Sequence, residues 1–288
     1  MVSMSGGCCA PDRNESSRRR DLPGRGADPG TLVDVPGGTF LMGSEDPLAY
    51  PADLEGPVRR VQVASFSIAP TTVTVAEFDA FVSATGYVTD AEQFGDSLVF
   101  AGSLPAEDSS PAVTATPWFN VVSGASWRRP SGPASSITPA ADHPVTHVSR
   151  RDADAYCAWV GASLPSEEQW EYAARGGLEQ QPFPWGADES LDRMNTWRGE
   201  FPGEHVDTVF TAPVRSFEPN GYGLYNTTGN VWEWTTGTFD AARRDTRAVI
   251  RGGSHLCHAS YCRRYRTSAR SGVTEDTSSS HIGFRLSR

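Results

Sequence analysis

The chain of 288 residues contains no lysine; all 25 of its Lys-or-Arg positions are arginine. That absence excludes Schiff-base and P-loop lysine chemistry. Long apolar runs are missing too: nothing approaches the roughly 18 residues that a membrane helix needs. The polar stretch Met1 to Arg20 has no signal-peptide core, so neither membrane insertion nor export is expected. Net charge is −10, which argues against nucleic acid as the main partner. Cysteines are few and odd in number: Cys8 and Cys9 near the start, Cys157 alone, and Cys257 close to Cys262. This is not the dense, even framework of a small secreted domain. A cytoplasmic protein with reduced thiols is expected.

Glycine (28) and proline (21) are abundant, which points to a loop-rich fold rather than long helical arrays. Residues 1–30 read as a mobile tail with almost no apolar periodicity, so order is expected from Thr31. TLVDVPGGTFLMGS reads as strand, turn, strand, and Arg59 to Ile68 as one half-buried strand. Phe78, Phe81 and Val82 predict a helix over Val75–Thr85. Residues 95–142, rich in Pro, Ser, Ala and Gly, read as a long irregular excursion. Ser149–Ala162 and Ser166–Arg175 predict two more helices, the second opening with a Ser166/Gln169 capping box. The whole predicts one α+β domain over 31–288, with few helices, much coil and a small antiparallel sheet. Bound cations are one means of fixing such loops.

The segment RGGSHLCHASYCRRYR, Arg251 to Arg266, carries the strongest local signal. Its C-x4-C spacing is too long for a zinc knuckle, and no second pair completes a tetrahedral site. Two thiolates alone suit a soft, low-coordinate ion such as Cu(I). Arg263, Arg264 and Arg266 are expected to favour thiolate over thiol. A short-loop disulfide and a pair of inert buried thiols are the other readings. The sulfur separation discriminates: about 2.05 Å if bonded, about 4–4.5 Å if bridging a metal. A second feature, Asn226-Thr-Thr-Gly-Asn-Val-Trp-Glu-Trp, offers hard oxygen donors suited to Ca²⁺, with Gly229 permitting close backbone approach. The alternative there is a turn whose Glu233 pairs with an arginine. A third, His143 and His147 spaced H-x3-H, would share a helical face, but Pro144 disfavours that helix and both read as structural. Ser254 lacks the G-x-S-x-G elbow of serine hydrolases.

Seven segments together resemble one family. They are VPGGTFLMGS (35–44), ATGYVTDAEQFGDSLVF (84–100), DHPVTHVS (142–149), SLPSEEQWEYAARGG (163–177), PNGYGLYNTTGNVWEW (219–234), RGGSHLCHASYCRRYR (251–266) and HIGFR (281–285). The set, spanning Thr31 to Arg288, is similar to the formylglycine-generating enzymes, or sulfatase-modifying factors, of the aerobic copper-dependent bacterial type. GGSxLCxxSYCxRYR, peculiar to the catalytic members, is present from Gly252 to Arg266.

The resemblance implies a fold of its own type, distantly like C-type lectins. It implies oxidation of a Cys in the C-x-P-x-R motif of an unfolded sulfatase to Cα-formylglycine, with O₂ and a thiol reductant. It implies Cu(I) between Cys257 and Cys262, with Ser254, Trp232 and Tyr261 around it. It implies Ca²⁺ at Asn226, Gly229, Val231 and Glu233, and a second Ca²⁺ at Asn195, Thr196, Asp207 and Val209, where the chain is shorter than its relatives around Gly203–Val206. A monomer is expected.

Departures from the pattern are Ser163 and Ser166, where Arg and Thr are usual, and Thr267 and Leu286 at positions that hold disulfide cysteines in secretory relatives. Only Cys157 of those cysteines remains, as a small buried hydrophobe that fits a reducing cytosol. Cys8 and Cys9 lie outside the resemblance. Two competing readings are an iron-dependent sulfoxide synthase of the ergothioneine type, using His143 and His147, and a non-catalytic lectin-like binding module.

Overall fold

In the computed structural model, the described residues are 12, 24–134, 138–203, 205 and 210–288. Most of the expected tail, with Cys8 and Cys9, lies outside them. Order precedes Thr31, because the Gly26 and Ala27 amides already donate to the Trp159 carbonyl (2.8 and 3.3 Å).

Among the described residues, four small sheets and four α-helices, with a few 3₁₀ turns, make up the fold. Strands β1 (Val33–Val35) and β2 (Gly38–Met42) do not form a hairpin: β1 pairs with β4 (Phe66–Ile68), and β2 with β3 (Arg59–Val63), both antiparallel. The predicted continuous strand 59–68 is thus two strands in two sheets. Helix α1 spans Val75–Thr85, with Phe78 and Phe81 fully buried; a Thr74/Glu77 capping box opens it and left-handed Gly86 closes it. Helix α2 (Asp90–Phe94) carries a second capping box, Thr89 with Glu92.

The stretch expected to be irregular instead holds a three-stranded antiparallel sheet, β5 (Asp96–Phe100), β7 (Thr116–Ser123) and β6 (Ala112–Val113), in the order β5-β7-β6. Its alternation is masked in the sequence because β5 is buried on both faces after its first residue. Helices α3 (Arg150–Val160) and α4 (Glu167–Ala174) fall where predicted, each with its capping box. The largest sheet runs β10-β9-β8-β11: β8 (Trp232–Asp240), β9 (Asp245–Arg251), β10 (Arg270–Val273) and β11 (Ile282–Gly283). Only β11 joins it in parallel.

One apolar core lies between α1, α3 and this sheet. Its aromatic centre is Phe78, which meets Trp127 at 5.2 Å, Phe81 at 5.4 Å and Tyr156 at 5.9 Å. Cys157 belongs to the same core, free and 3 % exposed, and burial pushes its thiol far up. Cys257, Cys262, Trp232 and Tyr265 extend this core to the loop between β9 and β10, which places the candidate site at its edge.

Candidate active site

The loop from Gly252 to Ala269 is pinned where it leaves β9. Arg251, 1 % exposed, donates to Glu167 of α4 (2.8 Å), to Glu171 and to the Thr267 carbonyl (3.0 Å). Gly253 (φ +73°) then runs against the loop's own exit; a Cβ there would meet the Arg264 carbonyl oxygen at 2.7 Å. Cys257 is set by local bonds: its amide donates to the Ser254 carbonyl (3.0 Å), and the Ser254 amide points to Cys257 Sγ (3.4 Å). The Trp197 amide takes the Cys257 carbonyl (3.0 Å). The amides of Tyr261 and Cys262 both donate to the His258 carbonyl (3.0 and 2.7 Å), a turn that swings Cys262 back over Cys257.

The two sulfurs face each other at 3.1 Å, and both cysteines are free. This exceeds a disulfide bond of about 2.05 Å and falls short of the spacing of about 4–4.5 Å expected across a metal. Both residues are almost sealed, at 1 % and 2 % exposed. Burial, and next the hydrogen bond with Cys262, hold the Cys257 thiol well above its ordinary value; the Ser254 amide and Arg264 pull it down less.

The expected help from three arginines is therefore corrected. Arg263 turns to Glu189 (2.8 Å) and Asp46 (3.4 Å), and Arg266 closes a buried pair with Glu55 (2.6 Å). Only Arg264 reaches a sulfur, with Nη1 3.8 Å from Cys262 Sγ, and its charge is shared with Asp53 (3.0 Å). Sequence reasoning missed Tyr50, Asp53 and Glu55. The acidic i, i+2 pair in PADLE was visible, but nothing in the sequence joins it to a loop some 210 residues away.

Of the other expected site residues, Ser254 is buried beside Cys257 and its hydroxyl accepts from the Leu256 amide (3.3 Å). Trp232 is buried in the same core cluster as the two cysteines. Tyr261 is half-buried on the outer side, stacked on Phe201 (4.7 Å, 4°) and edge-on to Trp118 (4.5 Å). A cleft of about 350 Å³, bounded in part by His143, Thr211, His255 and Ser280, opens beside the same loop.

At the first expected calcium position, Glu233 is bound by an arginine instead. Arg285 Nε and Nη2 grip its two oxygens at 2.6 Å each, and Trp170 Nε1 adds a bond at 2.7 Å, with the pair 1 % and 0 % exposed. The pairing of Glu233 with an arginine, the alternative that the sequence left open, is thus the contact present here. Asn226 keeps a buried side-chain oxygen with no partner, as does Thr196 at the second position. Gly229 (φ +74°) approaches so closely that a Cβ would meet the Asn195 carbonyl oxygen at 2.4 Å, and Val231 is buried. Asn195 donates to Phe210 O (3.0 Å) and Asn230 Oδ1 (3.1 Å). Asp207 and Val209 lie outside the described residues.

The two histidines are not a joint ligand set. His147 sits at φ +57°, bonded to Ser97 Oγ (2.8 Å), and burial pushes it down to about 3; His143 bonds Thr211 Oγ1 (2.9 Å). Among the described residues, no three His, Cys, Asp or Glu side chains gather as a metal cluster.

Residues 20–288 match the model of the Sulfatase-modifying factor enzyme 1-like domain, so the chain belongs to this family. It is 49 % identical to the Formylglycine-generating enzyme of Thermomonospora curvata, over 88 % of this chain and 92 % of that one. The Formylglycine-generating enzyme of Streptomyces coelicolor is 48 % identical, over 91 % of each. The Inactive C-alpha-formylglycine-generating enzyme 2 of Mus musculus is 44 % identical, over 91 % and 86 %. Among solved structures, PvdO from Pseudomonas aeruginosa superposes with a TM-score of 0.64 at 26 % identity, covering 91 % of this chain and 99 % of that one. The fold class expected from the sequence, a single irregular α+β domain of this family, is the one found.

Proposed function

We infer that the protein is an oxidase that converts a cysteine of an unfolded sulfatase polypeptide, in a C-x-P-x-R context, to Cα-formylglycine. The observation that carries this reading is the pair of free, buried thiols, Cys257 and Cys262, with sulfurs 3.1 Å apart in the loop peculiar to catalytic members. Family membership and the identity to named bacterial enzymes support formylglycine generation in sulfatase maturation.

The net reaction balances as follows. The substrate cysteine loses two electrons and two protons to become a thioaldehyde, which water hydrolyses to aldehyde and H₂S. Two thiols of a reductant give two more electrons and protons and leave as a disulfide. O₂ takes all four of each and becomes two waters, one of them consumed in the hydrolysis.

Protein side chains alone supply one-electron O₂ chemistry poorly. Two soft sulfurs, with no three His, Cys, Asp or Glu side chains gathered as a metal cluster among the described residues, fit Cu(I), which when bound would supply that chemistry and leave a position for a substrate thiolate. Cys257 and Cys262 would hold it. The chain's own groups do the rest: the Ser254 amide holds Cys257 Sγ in place, and the pair belongs to the same buried apolar core as Trp232 and Tyr265. Tyr261, half-buried against Trp118 and Phe201, is the partly exposed aromatic residue next to Cys262 and is read as a contact for the incoming peptide. A structural Ca²⁺ is read at Asn226 and at Thr196, whose orphaned oxygens support it, since an unpaired buried acceptor is costly. Free Cys157, Cys257 and Cys262 support a cytoplasmic setting.

The test is a C-x-P-x-R peptide incubated with Cu(I)-loaded protein, O₂ and a thiol reductant, with aldehyde followed by mass. Absence of product under conditions where a relative is active would retire the reading. Iron rather than copper on metal analysis would reopen the sulfoxide synthase.

A further inference from the structure

The two cysteines are held by different parts of the molecule. Cys257 is fixed from inside, by Ser254 and by the Trp197 amide on its carbonyl. The Cys262 amide returns to the His258 carbonyl and Arg263 pairs with Glu189 and Asp46, and the chain on both sides of Cys262 is also fastened by a segment far away in sequence, the turn around Pro51–Asp53. The Tyr50 hydroxyl donates to the Tyr261 carbonyl (3.2 Å) and accepts from the Arg263 amide (2.9 Å), so it brackets Cys262 on both sides. Asp53 receives Arg264 Nη2 at 3.0 Å and also Nε, and the Tyr50 ring lies 3.9 Å from the same guanidinium. Glu55 receives Arg266 (2.6 and 2.7 Å) and the Ser268 hydroxyl (2.8 Å). Three residues of this segment, Tyr50, Asp53 and Glu55, thus grip the backbone or side chains of positions 261 to 268. Arg264, clamped between ring and carboxylate, is left with Nη1 3.8 Å from Cys262 Sγ.

We propose that the Tyr50–Glu55 turn is the positioning element for Cys262, setting the separation of the two sulfurs, with Tyr50 and Asp53 as positioning residues. The proposal rests on the reading of the thiol pair as the reactive centre. Physically, a two-sulfur site needs both donors placed at once, and a loop with so little regular structure cannot do this by itself. The Arg251 anchor fixes the entry of the loop; the 50–55 turn fixes its exit. Loosening the exit leaves Cys257 in place and lets Cys262 wander.

The experiment uses the full chain with Tyr50→Phe and, separately, Asp53→Asn. Tyr50→Phe keeps the ring under Arg264 and removes only the bracketing hydroxyl, so it keeps the test alive if Asp53→Asn does not fold. Site-resolved alkylation by iodoacetamide is read by peptide mass spectrometry, with Cys157 as the internal reference. Losing one or two buried hydrogen bonds should raise the Cys262 rate relative to Cys157 by about tenfold. Cu(I) affinity, from competition with a chromogenic Cu(I) chelator, should fall by a similar factor. On the peptide substrate, kcat should drop with KM near wild type. Cys262 reactivity and Cu(I) affinity both unchanged in a folded variant would overturn the proposal. So would a rise at Cys157 equal to that at Cys262, since that reports general unfolding. If the wild type itself takes up no Cu(I), the copper reading fails on its own, and the alkylation ratio alone decides about the turn.

Discussion

Glu233→Gln offers the sharpest separation of two roles for one carboxylate. In the structure Glu233 accepts three bonds, two at 2.6 Å from Arg285 and one at 2.7 Å from Trp170. Both partners of the ion pair are out of solvent, at 1 % and 0 % exposed. Arg285 also donates to the carbonyls of Ala69, Pro70 and Tyr225, so it ties the segment after β11 to two loops. Replacing the carboxylate by an amide keeps the shape, turns an NH₂ toward the guanidinium and leaves a buried charge uncompensated. Breaking a buried pair this way costs about 3–5 kcal/mol. For a chain of this size that lowers the melting temperature by on the order of 10 °C. The assay is urea and thermal unfolding of both proteins in EDTA and in excess CaCl₂. The loss should be the same in both, because the lost partner is Arg285. A loss seen only with Ca²⁺ present, or one below about 1 kcal/mol, would refute the assignment of Glu233 to Arg285. The double variant Glu233→Met, Arg285→Met should recover only part of the loss, because it removes both charges but leaves Trp170 Nε1 and the carbonyls of Ala69, Pro70 and Tyr225 without these partners.

Other outcomes follow from the same physical reasoning. Asp152 is pushed up to about 7, chiefly by burial and then by Asp90 beside it. The folded state therefore keeps a proton that the unfolded chain releases near 4, so this group's contribution to stability declines as pH rises from about 4 to about 7. Asp90→Asn should flatten that slope in urea midpoints taken at pH 5, 6, 7 and 8; an unchanged slope would refute the coupling. Cys262→Ser should abolish aldehyde formation, while Cys157→Ala, a small change in an apolar site, should leave turnover intact and cost about 1 kcal/mol in unfolding experiments. Phe78→Ala empties the centre of the aromatic core and should cost about 3–5 kcal/mol by urea denaturation, with the secondary-structure signal retained under native conditions. Thr74→Ala removes the hydroxyl that accepts from the Glu77 amide and donates to the Glu77 carboxylate, leaves the bond from the residue-74 amide to that carboxylate, and should cost about 1 kcal/mol, read as a shift in the urea midpoint.

Helices were legible wherever their ends carried local chemistry. Ser149, Ser166 and Thr74 bond to amides three residues on, and such contacts need nothing beyond the segment itself. The same holds for the cysteine pair: five residues of spacing and one turn at His258 bring the sulfurs together, so the loop announced its chemistry in one dimension. Strands were less legible. β1 and β2 were found but not their partners, because pairing is a property of distant segments, and β5 was hidden because burial on both faces erases the alternation that reveals a strand. The charge state of the site was misread for a related reason. Three arginines beside two cysteines suggest thiolates, yet two of them point to carboxylates elsewhere and burial outweighs the third.

By itself, the order of residues determined the helices, the composition of the reactive loop and the family to which the chain belongs. Only the tertiary structure decided which charge answers which: that Glu233 belongs to Arg285, that Asp53 and Glu55 hold the far end of the cysteine loop, and that the thiols are dry. The physical reason is range. Caps and short turns are closed by atoms a few residues apart, whereas desolvation and ion pairing depend on everything that packs nearby, and that is settled only when segments some 210 residues apart along the chain come into contact.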